Sequence, residues 1–108
     1  MKKGDIVLCA DKVGDYTSKP RPAVIVQNNA YITGKESVIV CPISSVLIDD
    51  ELVIKLLPSD RNGLLDECVI RADKISAVKK TRIGKRIGAL SAEEMRRLDG
   101  IMRTWLNL

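Results

Sequence analysis

Arg71 and Asp73, two residues apart in CVIRAD, put a permanent cation and a carboxylate on one face of an extended segment, about 6–7 Å apart along a strand. Arg21 stands between Pro20 and Pro22. A proline disfavours the helical region for the residue before it, so Lys19 and Arg21 are held extended. Arg21 is therefore a fixed cation at the mouth of the apolar run Ala23–Val26. Ser44 follows a second apolar run, SVIVCPI, and offers a hydroxyl at its tip. Two arginines, a carboxylate and a hydroxyl, in a chain with no histidine, suit few reactions. One is cleavage of RNA by its own 2′-hydroxyl, with Asp73 taking the proton and the arginines holding the charge that develops on phosphorus. On these residues alone, Arg71 and Asp73 read better as a cross-strand surface ion pair of little energetic weight. Ser44 has no His or Lys beside it in the sequence to make it a nucleophile.

The elements that must position these residues are mostly strands. Gly4–Ala10 alternates, with Ile6, Leu8 and Ala10 on one face. Ala23–Val26 is short and β-branched, and Pro22 suits the first residue of a strand or an edge. Ser37–Ile43 is the next strand, with Pro42 expected to end its pairing on one side. Leu52, Ile54 and Leu56 alternate, as do Cys68, Ile70 and Ala72, which leaves Val69, Arg71 and Asp73 outward. Lys74–Lys79 continues the pattern, and Ile83–Leu90 is a last strand weakened by Gly84 and Gly88. Asp11–Lys19 and Asn28–Lys35 read as loops, and Pro58–Gly63 is the clearest turn. Ser91-Ala92-Glu93-Glu94 is a capping box. After it, Met95, Leu98, Met102, Trp105 and Leu106 recur at helical spacing, which predicts a C-terminal helix plugging the sheet with Trp105 in the core.

Composition bounds the rest. The 108 residues carry a net charge of +4, compatible with an anionic partner without requiring one. A chain of this length is one domain on length priors. Cys9, Cys41 and Cys68 are odd in number and widely spaced, which favours buried thiols in a reducing cytosol over disulfides or a zinc site. No apolar leader follows Met1-Lys2-Lys3, so a signal peptide and a membrane span are not expected. Six acidic residues in Asp49–Glu67 face only Lys55 and Arg61, whereas seven bases in Arg71–Arg86 face only Asp73. That second segment reads either as a phosphate-tracking surface or as a solvated hairpin.

Six blocks in order across the chain resemble the MazF/PemK family of toxin endoribonucleases. They are Lys3-Gly4-Asp5-Ile6-Val7, Arg21-Pro22-Ala23-Val24-Ile25-Val26-Gln27-Asn28, Val40-Cys41-Pro42-Ile43-Ser44, Gly63-Leu64, Val69-Ile70-Arg71-Ala72-Asp73 and Arg86-Ile87-Gly88-Ala89-Leu90-Ser91. The resemblance implies one domain over residues 1–108, mainly β with a C-terminal α-helix, in the small SH3-like barrel shared by MazF, PemK and CcdB toxins. It implies a cytoplasmic homodimer that cuts single-stranded mRNA without metal or cofactor, leaves 2′,3′-cyclic phosphate and 5′-hydroxyl ends, stops growth, and is neutralised by an acidic antitoxin. Arg21 matches the family's catalytic arginine and Ser44 its hydroxyl residue, usually Thr. Arg71 and Asp73 match the acid and base proposed for the PemK-like branch. Tyr16, Lys19, Gln27, Asn28, Lys79 and Lys80 are the expected RNA contacts, with Tyr16 or Lys19 standing in for the branch's loop histidine. Two alternatives stay open: a gyrase poison of the CcdB type acting through the helix end at Trp105, and a barrel that binds RNA without cutting it.

Overall fold

The computed structural model describes residues 1–10 and 19–108. Within them lie strands β1 (Asp5–Cys9), β2 (Arg21–Ile25), β3 (Ser37–Ser44), β4 (Val53–Leu56), β5 (Cys68–Arg71), β6 (Ser76–Lys79) and β7 (Ile83–Ala89), followed by helix α1 (Ala92–Leu106). Every ladder is antiparallel. The strand order is β4-β5-β3-β2-β1-β7, with β6 also paired to β3. The fold is thus the expected antiparallel sheet with one C-terminal helix. As a hydrogen-bonded path the sheet stays open, with β4 and β7 at its ends.

β3 organises the sheet. Its eight residues are rich in β-branched side chains, which suit a pleated surface covered on both faces. On one edge it pairs with β2 through Ala23↔Pro42, Val24↔Cys41 and Ile25↔Val40. On the other it pairs first with β6, from Ser37↔Lys79 to Val40↔Ser76, and then with β5 through Ile43↔Ile70 and Ser44↔Val69. Pro42, which has no N–H to give, falls where this edge changes partner. The expected end of pairing at Pro42 is therefore a handover from one strand to another.

Two apolar clusters flank the sheet. Ile6, Val24, Cys41, Ile54, Leu56 and Ile70 pack with Leu98 and Met102 of α1. Val7, Cys9, Ala23, Ile25, Val38 and Val40 form a second cluster. Two expectations fail because the sheet is buried on both sides. In β1, Ile6, Val7 and Cys9 are buried while Leu8 is only half-buried, and in β5 the supposedly outward Val69 is fully buried.

The capping box forms as expected: Glu94 N–H donates to Ser91 Oγ (3.1 Å), and Ser91 N–H donates to Glu94 Oε1 (2.8 Å). Leu98 and Met102 are buried, with Met95 and Ile101 packed against them. Trp105 corrects the expectation of core packing: it is 47% exposed, because the last turn of α1 runs past the covered part of the stripe.

The gap between the sheet's ends is bridged by the β4–β5 loop. Ala89 N–H donates to the Arg61 carbonyl (2.9 Å). Asn62, buried, fixes the loop: its Oδ1 accepts from Ser59 N–H and Leu64 N–H (both 3.0 Å) and its Nδ2 donates to the Leu57 carbonyl (2.8 Å). The contact leaves no room for side chains. Gly63 has φ +67°, and a Cβ there would lie 2.0 Å from the Ile87 carbonyl oxygen; one on Gly88 would lie 2.4 Å from the Asn62 backbone. Gly100 of α1, in contrast, has open space where a Cβ would go. Gly88→Ala is therefore expected to destabilise the fold by about 1–3 kcal/mol or more, and Gly100→Ala to stabilise it by about 0.5–1 kcal/mol. Urea unfolding of the two variants checks both signs.

Candidate active site

The partner change at Pro42 gathers the start of β2, the ends of β3 and β5 and the start of β6 at one corner of the sheet. Those four segments carry Arg21, Ser44, Arg71 and Ser76. They line a cavity of about 260 Å³, joined by Lys74 and Arg82, with Pro42, Val40 and Val78 also in its walls. Three of the four expected catalytic residues thus share one concave surface.

Asp73 reaches the same place through Arg71. The chain leaves the strand after Arg71, and a 3-10 turn, Ala72–Lys74, swings the carboxylate back onto the guanidinium. Arg71 Nε donates to Asp73 Oδ1 (2.8 Å) and Arg71 Nη2 to Oδ2 (2.6 Å). The two side chains, expected to stand apart along an extended segment, form a fork instead. Hydrogen bonding within it raises the Arg71 pKa above its ordinary value and lowers that of Asp73 below the usual carboxylate value. The pair therefore stays doubly charged at neutral pH. Asp73 locks the plane of the guanidinium and leaves its other N–H groups available to a ligand in the cavity.

Ser44, the last residue of β3, is half-buried. Its Oγ accepts from Val46 N–H (3.1 Å), which fixes the oxygen and leaves the hydroxyl proton to donate to an anion. The thiols offer no nucleophile. Cys9 lines the cavity, and burial pushes its pKa up against the opposing effect of Arg82. Burial, with a further push from Asp73, takes Cys41 to about 12. Thiols so shifted remain protonated at neutral pH.

The expected RNA contacts divide. Lys19 is exposed beside Arg21, and Tyr16 lies outside the described residues. Gln27, Asn28, Lys79 and Lys80 sit at the other end of the strands, about 20 Å along β2 from Arg21. The Gln27 amide donates to the Tyr31 carbonyl (2.6 Å) and accepts from Ile39 N–H (2.9 Å), while Asn28 Oδ1 accepts from Ala30 N–H (2.9 Å). Lys80 Nζ donates to the Ile32 carbonyl. Gln27, Asn28 and Lys80 thus hold the 3-10 turn Asn29–Tyr31 and the neighbouring strand ends together, and neither they nor Lys79 line the cavity.

The basic segment is also less uniform than its composition implied. Arg86 Nε donates to the buried Asp5 carboxylate (3.0 Å), tying β7 to β1. Arg82 Nε donates to the Ala10 carbonyl (2.8 Å). Lys74, Ser76 and Arg82 are the cavity residues that sequence patterning missed as site residues. Pro42 marks where pairing on that edge breaks, but nothing local says that β5 and β6 are the strands that meet there.

The arrangement concentrates positive charge. Among the described residues the cavity is lined by Arg21, Arg71, Lys74 and Arg82, with Asp73 the carboxylate bound to one of them. Such a surface suits a phosphate or another anionic group.

Comparison with known proteins gives the family. The family described as "PemK-like, MazF-like toxin of type II toxin-antitoxin system" matches residues 2–106. A probable endoribonuclease MazF of Mycolicibacterium smegmatis is 31% identical, over 100% of this chain and 98% of its own length. Endoribonuclease MazF9 of Mycobacterium tuberculosis is 31% identical, over 88% of this chain and 85% of its own. Among solved structures, a MazE–MazF crystal structure from Deinococcus radiodurans superposes with a TM-score of 0.83 at 18% identity, covering 100% of this chain and 97% of that one. A mycobacterial endoribonuclease in complex with its cognate antitoxin gives 0.81 at 22% identity, covering 100% and 96%. These two structures share the fold, and the match along nearly the whole sequence goes further: the chain belongs to the PemK-like, MazF-like family of toxins of type II toxin–antitoxin systems.

Proposed function

We propose that this toxin endoribonuclease cuts single-stranded mRNA by in-line attack of a 2′-hydroxyl on the adjacent phosphorus, without a metal or cofactor. The observation that carries the reading is the convergence of Arg21, Ser44 and the Arg71–Asp73 fork on one small cavity. In the proposed step the 2′-oxygen–phosphorus bond forms and the phosphorus–5′-oxygen bond breaks. The 2′ proton passes to Asp73, the departing 5′-oxygen takes a proton from water, and the products are a 2′,3′-cyclic phosphate and a 5′-hydroxyl.

The roles are assigned by chemistry. Arg21 and Arg71 face the phosphate and stabilise the charge that builds on its oxygens. A guanidinium does not give up its proton in a protein, so neither arginine serves as a general acid. Ser44 donates its hydroxyl proton to a phosphate oxygen. Asp73 works ionised: it anchors Arg71, and a lone pair left on either oxygen accepts the 2′ proton. Its lowered pKa makes it a weak base, which puts the weight of catalysis on charge stabilisation.

The same cavity suits an acidic antitoxin, whose carboxylates would pair with Arg21, Arg71 and Lys74 and exclude RNA. One structural neighbour is described as bound to its cognate antitoxin. A homodimer is the proposed assembly, and the half-exposed Trp105 and Leu106 are apolar surface that assembly can cover. None of the helices among the described residues is long and apolar enough to cross a membrane; we place the toxin in the cytoplasm, with its mRNA substrate.

Arg21 is exposed at a strand start, so Arg21→Ala is expected to keep the fold and to cut RNA at least 10²-fold more slowly, the order found for loss of one preorganised donor. The assay is single-stranded RNA in excess EDTA. Undiminished cleavage by the variant would remove Arg21 from the mechanism, and cleavage lost to EDTA in the wild type would mean a metal. Intact RNA together with trapped gyrase–DNA complexes would favour the CcdB-type alternative.

The fork gives a pH prediction. Asp73 has a folded pKa below its unfolded one, so its contribution to stability is present at neutral pH and is lost as pH falls through the lowered value. Carboxyl-carbon NMR is expected to place the Asp73 inflection below the ordinary value of about 3.9. In Arg71→Met that inflection should rise toward the ordinary value while kcat falls.

A further inference from the structure

Arg21 stands in the wall between two cavities. Arg21, Pro22 and Ile43 line both the basic cavity and a second one of about 360 Å³ on the other side. This second cavity is mostly aliphatic, with Leu8, Leu64 and Ile87 in its walls. Leu65, 92% exposed, stands at its edge. The polar side chains that line it, besides Arg21, are Ser45 and the exposed Asp66.

We infer that this second cavity is a nucleobase subsite, which holds the base adjoining the phosphate at Arg21 and favours bases with an exocyclic amino group. The inference rests on the RNA-cleaving function proposed above and adds a specificity site to it. A nucleobase has apolar faces and a polar edge, and it is tethered to its own phosphate. One cation shared by a basic cavity and an apolar one is the geometry that a phosphate and its neighbouring base require. Among the described residues no aromatic lines the site, and its walls would hold the ring between leucine, isoleucine and the Pro22 ring.

Asp66 supplies the selectivity. An ionised carboxylate only accepts hydrogen bonds, and it repels a passing phosphate. Its presence beside an RNA path is unfavourable unless a donor from the bound base meets it, and that unfavourable element is what discriminates. The amino groups of cytosine, adenine and guanine can provide the donor, as cytosine N4 does for acidic side chains elsewhere. Uracil lacks an amino group and offers only its ring N3–H, flanked by two carbonyl oxygens that the carboxylate repels.

Methyl NMR together with 1H–15N NMR of arginine side chains, on the full chain titrated with inorganic phosphate and with CMP, AMP, GMP and UMP, tests this. Phosphate is expected to move the Arg21 and Arg71 side-chain N–H signals alone. The nucleotides should in addition move the methyls of Leu64, Leu65 and Ile87. The three amino-bearing nucleotides should bind about ten-fold more tightly than UMP, the worth of one hydrogen bond to a charged acceptor, and Asp66→Asn should erase that difference. Nucleotides that move only the arginine signals, or bind without preference, overturn the inference even if RNA is cut. Methyl shifts that follow protein concentration instead of nucleotide give the cavity to a second copy of the chain and overturn it too. Nucleotide-dependent methyl shifts with the preference intact, in a protein that leaves RNA whole, uphold the base site and bring down the nuclease mechanism alone.

Discussion

β3 has three partners on two edges, and the site exists because of where one edge changes hands. β2 occupies the first edge over Val40–Pro42, while β6 leaves the second at Val40 and β5 arrives at Ile43. Strand ends that lie far apart in the chain must then meet at one corner, and each brings its terminal side chain: Arg21, Ser44, Arg71 and Ser76. Proline at position 42 suits the handover because it asks for no hydrogen bond from that edge. The corner is rigid on the inner side, where Val24, Cys41 and Ile70 are fully buried, and open on the outer. Side chains on such a scaffold are oriented before a ligand arrives.

The remaining polar interactions hold the sheet's curvature. A path that ends on β4 and β7 leaves two edges to satisfy, and the loop Arg61–Gly63 covers one against β7 through backbone alone. Near the same end of β7, where Asp5 pairs with Ala89, the buried Asp5 carboxylate takes Arg86 Nε (3.0 Å) and Lys2 N–H (2.9 Å). A buried carboxylate is tolerated only when so compensated. Bases that composition alone would assign to RNA, such as Arg86 and Lys80, are thereby committed to the fold, and the charge left for a ligand is concentrated at the corner.

Much of this was legible in the residues. The strands, the Pro58–Gly63 turn and the capping box at Ser91 and Glu94 are written in local spacing and side-chain chemistry. Arg21 was legible as a positioned cation because two prolines fix its neighbourhood. Burial on both faces was not, since alternation in β1 and β5 signals a one-sided sheet and Val7 and Val69 break that assumption. Trp105 misled for a related reason: helical periodicity says which face is apolar, not how far the covering surface extends. Gln27 and Asn28 look like ligands for RNA, yet amides at a strand end are also the natural caps for the turn that follows. Lys74, Ser76 and Arg82 are site residues only through long-range pairing, which no local pattern encodes.

The absence of histidine shapes what the site can be. Among the described residues its ionic groups are guanidiniums that never deprotonate, a lysine, and a carboxylate held well ionised by Arg71. A site built this way gains little from proton transfer at neutral pH and much from fixed charge in a concave pocket where solvent screening is reduced. The same fixed charge makes inhibition simple. Any flexible acidic segment that fits the corner meets the field meant for the transition state, with no proton to move and no side chain to reorganise. Under the mechanism proposed above, catalysis and neutralisation draw on one electrostatic feature, and Asp73, by stiffening Arg71, serves both.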